Sequence, residues 1–502
     1  MEFEVLKDLV RIITRNKVKQ IEVLGNPGQE GSRTEELYEG VAKERFTSDD
    51  EAARHFFGSD EKDPNYRKLR NKLIRQLINT AFFIDVQQPM FSERSKAQYH
   101  CYRDYAAAFI LRTREAHKSS VYLLQQVLEQ AIKYEFTELT ADICSQLRSQ
   151  FARTPGDSSS HERYSELHRI YEEKRYWEFK AFDYEENLIH HYITGRSTNE
   201  EVHQLAAQYF AELLPRAPQV DTVQYYLHTY LVGVIKYSSI NDCKKAIEVC
   251  EEALQILRHR KNVHGGALLS FAIQKLSCLT QLRIFEEDDQ TALYCFSLVE
   301  EGGFNWFRVM ELQFYNRIYS RRYPDALEIY GRAVQHPRFQ LLSGSYRDLW
   351  TLCGGYLHLL AVLGKLDGKK VEATAGFFRM AKFKNDFEVL DKEKAGMNIP
   401  LVLLPVMYSI ATGAYEEEFG RSIEALDKYR KRYLENDTNR RSAIFLKMLL
   451  ALAKKNFEGE QALRKMEKEK MQLQQLPPQM AGQSFAVEII PYEDLWEMLS
   501  DR

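Results

Sequence analysis

The sequence predicts an all-α protein, built as a stack of helix pairs behind a small N-terminal helical domain. Three observations carry that expectation. Helix breakers are scarce, with 13 prolines and 24 glycines in 502 residues, which favours long helices joined by short loops. Apolar side chains recur three and four residues apart, as at Phe3, Leu6, Leu9, Val10 and Ile13, the spacing of a helix with one buried face. Beyond residue 200 a pattern repeats in which a small residue is followed four positions on by an aromatic or cysteine, and three further by an apolar residue. A chain of this length exceeds what one compact core usually holds, so several domains or an extended stack are required.

Residues 1–100 read as the N-terminal domain. After the first helix comes the loop Gly25-Asn-Pro-Gly-Gln-Glu-Gly-Ser-Arg33, with a short strand expected before it at 19–24. Ser32 suits the cap of a helix whose first turn carries Glu35 and Glu36, because acids favour the positive end of the helix dipole. Ser48-Asp-Asp-Glu51 reads as a second start, with Glu51 placed for a capping box. Asp63-Pro64 opens a third, where proline at the first turn loses no hydrogen bond.

Residues 101–470 read as helical repeats. Thr154-Pro-Gly-Asp-Ser-Ser-Ser160 forms a break and candidate hinge, followed by a long helix over 161–192. The apolar run 399–411, interrupted by Pro400 and Pro405, is too short to span a bilayer and reads as a buried helix. Residues 471–502 read as a tail or cap. Gln472–Gln479 breaks the helices, 485–490 suits an extended segment, and 492–499 suits a short acidic amphipathic helix. Val487, Ile489, Ile490, Leu495, Trp496 and Leu499 are too many large apolar groups to leave in water. The tail is therefore expected to fold back onto the last helix pair near Phe445, Leu449 and Leu452.

The repeat pattern stands at Ala246-x3-Cys250-x2-Ala253, Ala292-x3-Phe296-x2-Val299, Ala326-x3-Tyr330-x2-Ala333 and Ala373-x3-Phe377-x2-Met380. The small residue lets a neighbouring helix approach, and the residues four and seven on fill the same face. The clearest copy is Tyr323-Pro-Asp-Ala-Leu-Glu-Ile-Tyr-Gly-Arg-Ala-Val-Gln-His-Pro337, which resembles the second helix of a tetratricopeptide repeat with its alanines, aromatic and closing proline. Pro337 comes one residue early, and the preceding helix, which includes Trp306 and Phe314, lacks the Leu-Gly pair of that family. Over about residues 200–470 the resemblance implies a right-handed solenoid of stacked helix pairs. It names no ligand, since such folds carry many functions.

Chemistry is harder to find. The net charge of −3 exerts no global pull on nucleic acid or anionic membrane. The seven cysteines form no C-x-x-C pair and suit a reducing, cytoplasmic compartment. The N-terminus carries acids early and no apolar signal core. The histidines show no zinc spacing, and no G-x-S-x-G elbow is present. The glycine loop at 25–33 lacks the lysine and Ser/Thr of a phosphate-binding loop and reads as a connection. No catalytic, cofactor or metal residue is therefore expected, and no enzyme activity.

One local feature stands out. On the helix opened by Asp63, Leu69, Leu73 and Leu77 share one face, while Lys68, Lys72 and Arg75 lie near the opposite one. Such a row of cations suits a nucleic-acid backbone; it also suits a solvated surface, and residues 1–80 hold 15 basic and 15 acidic side chains. A helical module ahead of tetratricopeptide-like repeats is similar to the architecture of bacterial transcriptional activators. Asn65–Leu77 resembles their recognition helix, although no second strand of a wing follows Thr80–Asp85. The leading expectation is a non-enzymatic scaffold that binds a protein or peptide partner, with no membrane role. The alternative is a transcription-linked regulator whose N-terminal helices bind DNA through Lys68, Lys72 and Arg75.

Overall fold

A computed structural model describes residues 2–15, 32–88, 91–153, 157–194, 198–261, 263–380, 383, 398–413, 427, 440–453, 466–476 and 488–500. Those residues form helices joined by turns, with no strand among them. The strand expected at 19–24 lies outside the described residues. Of the extended segment expected at 485–490, only 488–490 are described, and they are irregular.

The chain divides into two compact units, residues 1–175 and 176–502. The division falls inside the long helix Ser158–Thr194. The first unit opens with helices Glu2–Arg15, Arg33–Ala42, Asp49–Phe57 and Pro64–Ala81. Their shared core is Phe3, Leu6, Val10, Leu37, Phe46, Ala52, Tyr66, Leu73 and Leu77. The helix starts follow local chemistry. Ser32 Oγ accepts from Glu35 N at 3.2 Å, and Asp63 Oδ1 accepts from Asn65 N at 2.7 Å and Tyr66 N at 3.1 Å. Ser48 caps as read, accepting from Glu51 N at 3.3 Å. The return bond is shifted by one residue: Glu51 accepts from Thr47 N and Thr47 Oγ1 at 2.7 and 2.8 Å, so Thr47 fastens the reciprocal half of the cap. Helices Glu93–Thr113, His117–Lys133 and Thr137–Phe151 follow, around Leu124, Val127, Leu128, Ile143 and Leu147.

In the second unit helices pack against their neighbours in chain order. Val223–Ser238 lies against Cys243–Arg258, Gly265–Leu282 against Phe285–Ser297, Phe304–Tyr319 against Tyr323–Val334, and Gly344–Val362 against Gly368–Ala375. The small residues Ala246, Ala292 and Ala326 are all buried, as close helix approach requires. The fourth copy departs from the pattern. Ala373 and Phe377 are exposed; the helix stops at Ala375 and Gly376 takes a positive φ of 78°, so the helical spacing from Ala373 to Phe377 is not kept. Asn398–Thr412 holds Pro405 inside it and buries Ile399, Leu403, Leu404, Val406 and Met407.

The helix pairs share one turn. In it a residue one to three positions past the first helix adopts a left-handed conformation, at Asn241 (φ 57°), Arg283 (φ 59°), Arg321 (φ 58°) and Gly364 (φ 72°). The next amide then reaches back into the helix: Asp242 N to Tyr237 O, Ile284 N to Leu279 O, Arg322 N to Arg317 O and Lys365 N to Leu360 O. This satisfies carbonyls that a helix end would otherwise leave unpaired. The turns recur about forty residues apart, in the range of helical repeats. Non-glycine residues seldom hold this conformation, so three of the four positions place a polar side chain where glycine is the ordinary choice.

A buried carboxylate braces successive pairs. Asp288 accepts from Thr280 Oγ1 through one oxygen and from Gln313 Nε2 at 3.0 Å through the other. It thereby links helices Gly265–Leu282, Phe285–Ser297 and Phe304–Tyr319. Burial pushes its pKa up to about 6, against the lowering effect of the Thr280 hydrogen bond.

Candidate protein-docking site

The shared turn places Arg283 and Arg321 at equivalent positions of consecutive helix pairs. A third arginine, Arg441, belongs to helix Arg440–Ala453. All three side chains converge on one acidic segment, residues 488–500, which ends in helix Tyr492–Ser500.

Arg441 is 2% exposed. Its Nε donates to Glu488 Oε1 at 2.5 Å, and its Nη2 donates to Glu488 Oε2 at 2.9 Å and to Glu493 Oε2 at 2.6 Å. Its Nη1 donates to the carbonyls of Leu473 and Leu476. A guanidinium carries five N–H donors in a fixed fork, and here all five have an acceptor. Burial alone would pull the Arg441 pKa down, but the hydrogen bonds and charges of Glu488 and Glu493 outweigh it and leave the pKa above its ordinary value.

The other arginines complete the set. Arg283 Nη2 donates to Glu493 Oε1 at 2.7 Å. Arg321 Nη2 donates to Asp494 Oδ1 at 2.5 Å and Glu497 Oε2 at 2.6 Å. Every acid of the segment is therefore paired: Glu488, Glu493, Asp494 and Glu497. Burial still raises the pKa of Glu488, opposed by Arg441, and of Asp494, opposed by Arg321.

Apolar anchors lie between the charges. Ile489, Ile490, Tyr492, Leu495, Trp496 and Met498 are all buried. Tyr492 stacks on Phe445 with centroids 4.5 Å apart and planes 7° from parallel, and its hydroxyl pairs with Ser442 Oγ at 3.0 Å. Tyr319 Oη donates to the Glu488 carbonyl at 2.6 Å. The sequence pointed to Phe445 as the seat of the tail. It did not point to Tyr319, Arg283 or Arg321, which are far away along the chain. The only local signal was a polar residue standing where the turn would favour glycine.

The cation row of the N-terminal unit is built differently. Lys68, Lys72 and Arg75 are exposed on helix Pro64–Ala81 and form no ion pair among the described residues. Arg70, two positions from Lys68 and Lys72, turns inward and pairs with Asp49 at 3.0 Å. Asp49 in turn accepts from Tyr66 Oη at 2.6 Å.

A cleft of about 510 Å³ opens among Glu251, Arg258, His259, Lys275, Glu287 and Tyr294. Its most buried cation, Lys275, is held between Glu251 at 2.6 Å and Glu287 at 2.7 Å, and Arg258 lies over the Tyr294 ring at 4.4 Å. Among the described residues no group of His, Cys, Asp and Glu could hold a metal ion, and no helix is long and apolar enough to cross a membrane. No protein-family model, curated protein or solved structure matches the chain.

Proposed function

We propose that this protein is a non-enzymatic interaction scaffold. In this reading its helix pairs form a right-handed, tetratricopeptide-like solenoid that grips acidic amphipathic segments through arginines at the turns. The observation that carries the reading is the seating of residues 488–500. Arginines from three separated places hold four acids, while six large apolar side chains fill the space between. Buried apolar anchors combined with specific charge pairs are how helical grooves recognise a helical ligand. The segment thus serves as a ligand in cis and defines the chemistry of a partner. Seven buried, free cysteines are in keeping with work in a reducing, cytoplasmic compartment.

Co-expression of residues 1–487 with residues 488–502 as a separate tagged peptide tests the reading. The two pieces are expected to co-purify. A peptide carrying Glu488→Gln, Glu493→Gln and Asp494→Asn is expected to be lost on washing. Equal recovery of both peptides would show that the arginines do not select acids, and the reading would fall.

A further inference from the structure

The cation row of helix Pro64–Ala81 leads, at its C-terminal end, to exposed aromatic rings. At 100° per residue, Lys68, Lys72, Arg75 and Asn79 fall within about 60° of arc. Phe82, the C-cap residue one turn further, is 49% exposed, and Phe83 is 37% exposed. Tyr99 Oη donates to the Phe82 carbonyl, which ties the backbone of that turn to the next helix. From Lys68 to Phe82 the row is about 20 Å long.

The row is also cleared of acids. Residues 64–84 contain Arg67, Lys68, Arg70, Lys72 and Arg75 and no Asp or Glu. Asp60, Glu61 and the capping Asp63 lie before the helix and Asp85 after it. Arg70 is withdrawn to Asp49, and Arg67 leans back to the Glu61 carbonyl at 3.4 Å. Lys68, Lys72 and Arg75 remain, all facing water. The leucine face is taken up by the core of the unit, and within the helix Ile78 is the one large apolar side chain left exposed, so the helix lacks the continuous second apolar face that an interfacial helix needs.

We infer that this face binds a single strand of nucleic acid, with Lys68, Lys72 and Arg75 along the phosphates and Phe82 stacked on a base. Cations alone would suit any polyanion. The ring at the end of the same row selects an unstacked strand, because bases in a duplex offer no free face to stack on. Stacking on an aromatic ring is indifferent to base identity, and contacts to phosphates do not distinguish the two sugars. DNA and RNA strands are therefore expected to bind alike.

Fluorescence anisotropy on the full chain tests this, with labelled oligothymidylate and oligouridylate of about 15 nucleotides as probes. The unaltered protein is expected to bind both, more weakly as salt rises. K68A/K72A/R75A should reduce the slope of log K against log salt by about 2, at roughly 0.7 per phosphate contact on a single strand. Phe82→Ala should weaken binding by about 5- to 150-fold and leave the salt slope unchanged. All four altered side chains are exposed, and an unchanged melting temperature verifies that the variants are folded. Exposed cations elsewhere in the same unit provide the control, R114A/K118A/R153A, which should bind like the parent. The inference is overturned by absence of binding in the parent, by equal loss in the control variant, by tighter binding to a duplex of the same length, or by binding to phosphatidylserine vesicles in place of the oligonucleotides.

Discussion

Helix Pro64–Ala81 and the C-terminal segment both carry dense charge, but they treat it in opposite ways. On the helix, three cations stand in water while one, Arg70, is drawn in to an aspartate. Around residues 488–500 the centre of the charge set is withdrawn from water, with Arg441, Glu488 and Asp494 each at most 2% exposed, while Arg321 and Glu497 stay partly exposed at its rim. Removing one partner of a buried pair strands the other without solvent, whereas exposed charges interact weakly through water. Sequence composition does not distinguish the two cases. What separates them is whether a second element arrives to complete the hydrogen bonds.

The largest test of that contrast is Arg441→Ala. It strands Glu488, leaves Glu493 with Arg283 alone, and is expected to lower stability by about 3–5 kcal/mol in urea denaturation. Adding Glu488→Ala should recover part of the loss, a coupling that a double-mutant cycle measures. A loss under about 1 kcal/mol would place Arg441 with the exposed cations and erase the contrast.

Asp288 sharpens the comparison by pH. Its folded pKa of about 6 lies above the ordinary 3.8, so the folded state holds this proton more tightly than the unfolded one. The resulting stabilisation is fully present below about pH 4 and is lost as pH rises through 6, up to about 3 kcal/mol in all. Asp288→Asn should flatten that part of the stability profile. An unchanged slope in the variant would assign the pH dependence to other groups.

A change without charge isolates packing. Ala326 is fully buried, between Tyr323 and Tyr330 on its helix. Ala326→Leu should overfill the contact and destabilise by about 1–3 kcal/mol; a parental melting temperature would mean that the site has room. The smallest effect is expected at the exposed row, where Lys68→Ala, Lys72→Ala and Arg75→Ala together should shift stability by no more than about 0.5 kcal/mol. A larger loss would mean that the row braces the fold.

Much of the secondary structure was legible because its causes are local. Ser32, Ser48 and Asp63 cap the helices they were expected to start, and the long helix expected over 161–192 runs from Ser158 to Thr194, taking up the last three residues of the break expected at 154–160. The buried helix around Pro405 follows from its apolar run. The shared turn escaped notice because its usual mark is glycine, and here Asn241, Arg283 and Arg321 take the left-handed conformation instead. Lys68 and Arg70 differ in fate because they lie on opposite faces of the helix and Asp49 receives the one turned inward. The arginine clamp was illegible for a plainer reason: Arg283 and Glu493 are 210 positions apart, and no local pattern links them.

That separation bears on how the second unit comes apart. In an array where each helix pair touches only its neighbours, the ends fray first and unfolding proceeds pair by pair. Here one short segment fastens Arg283, Arg321 and Arg441 together, so helices Gly265–Leu282, Phe304–Tyr319 and Arg440–Ala453 cannot open separately without breaking the same knot of charges. Their amide protons should exchange with solvent as one cooperative block. Arg283→Ala should split that block in two, and the early helices would then lose protection before the late ones. The same knot closes a very long loop of chain, which slows its formation. The last contacts made on refolding are therefore expected to be those of Tyr492 on Phe445 and of Glu488 on Arg441.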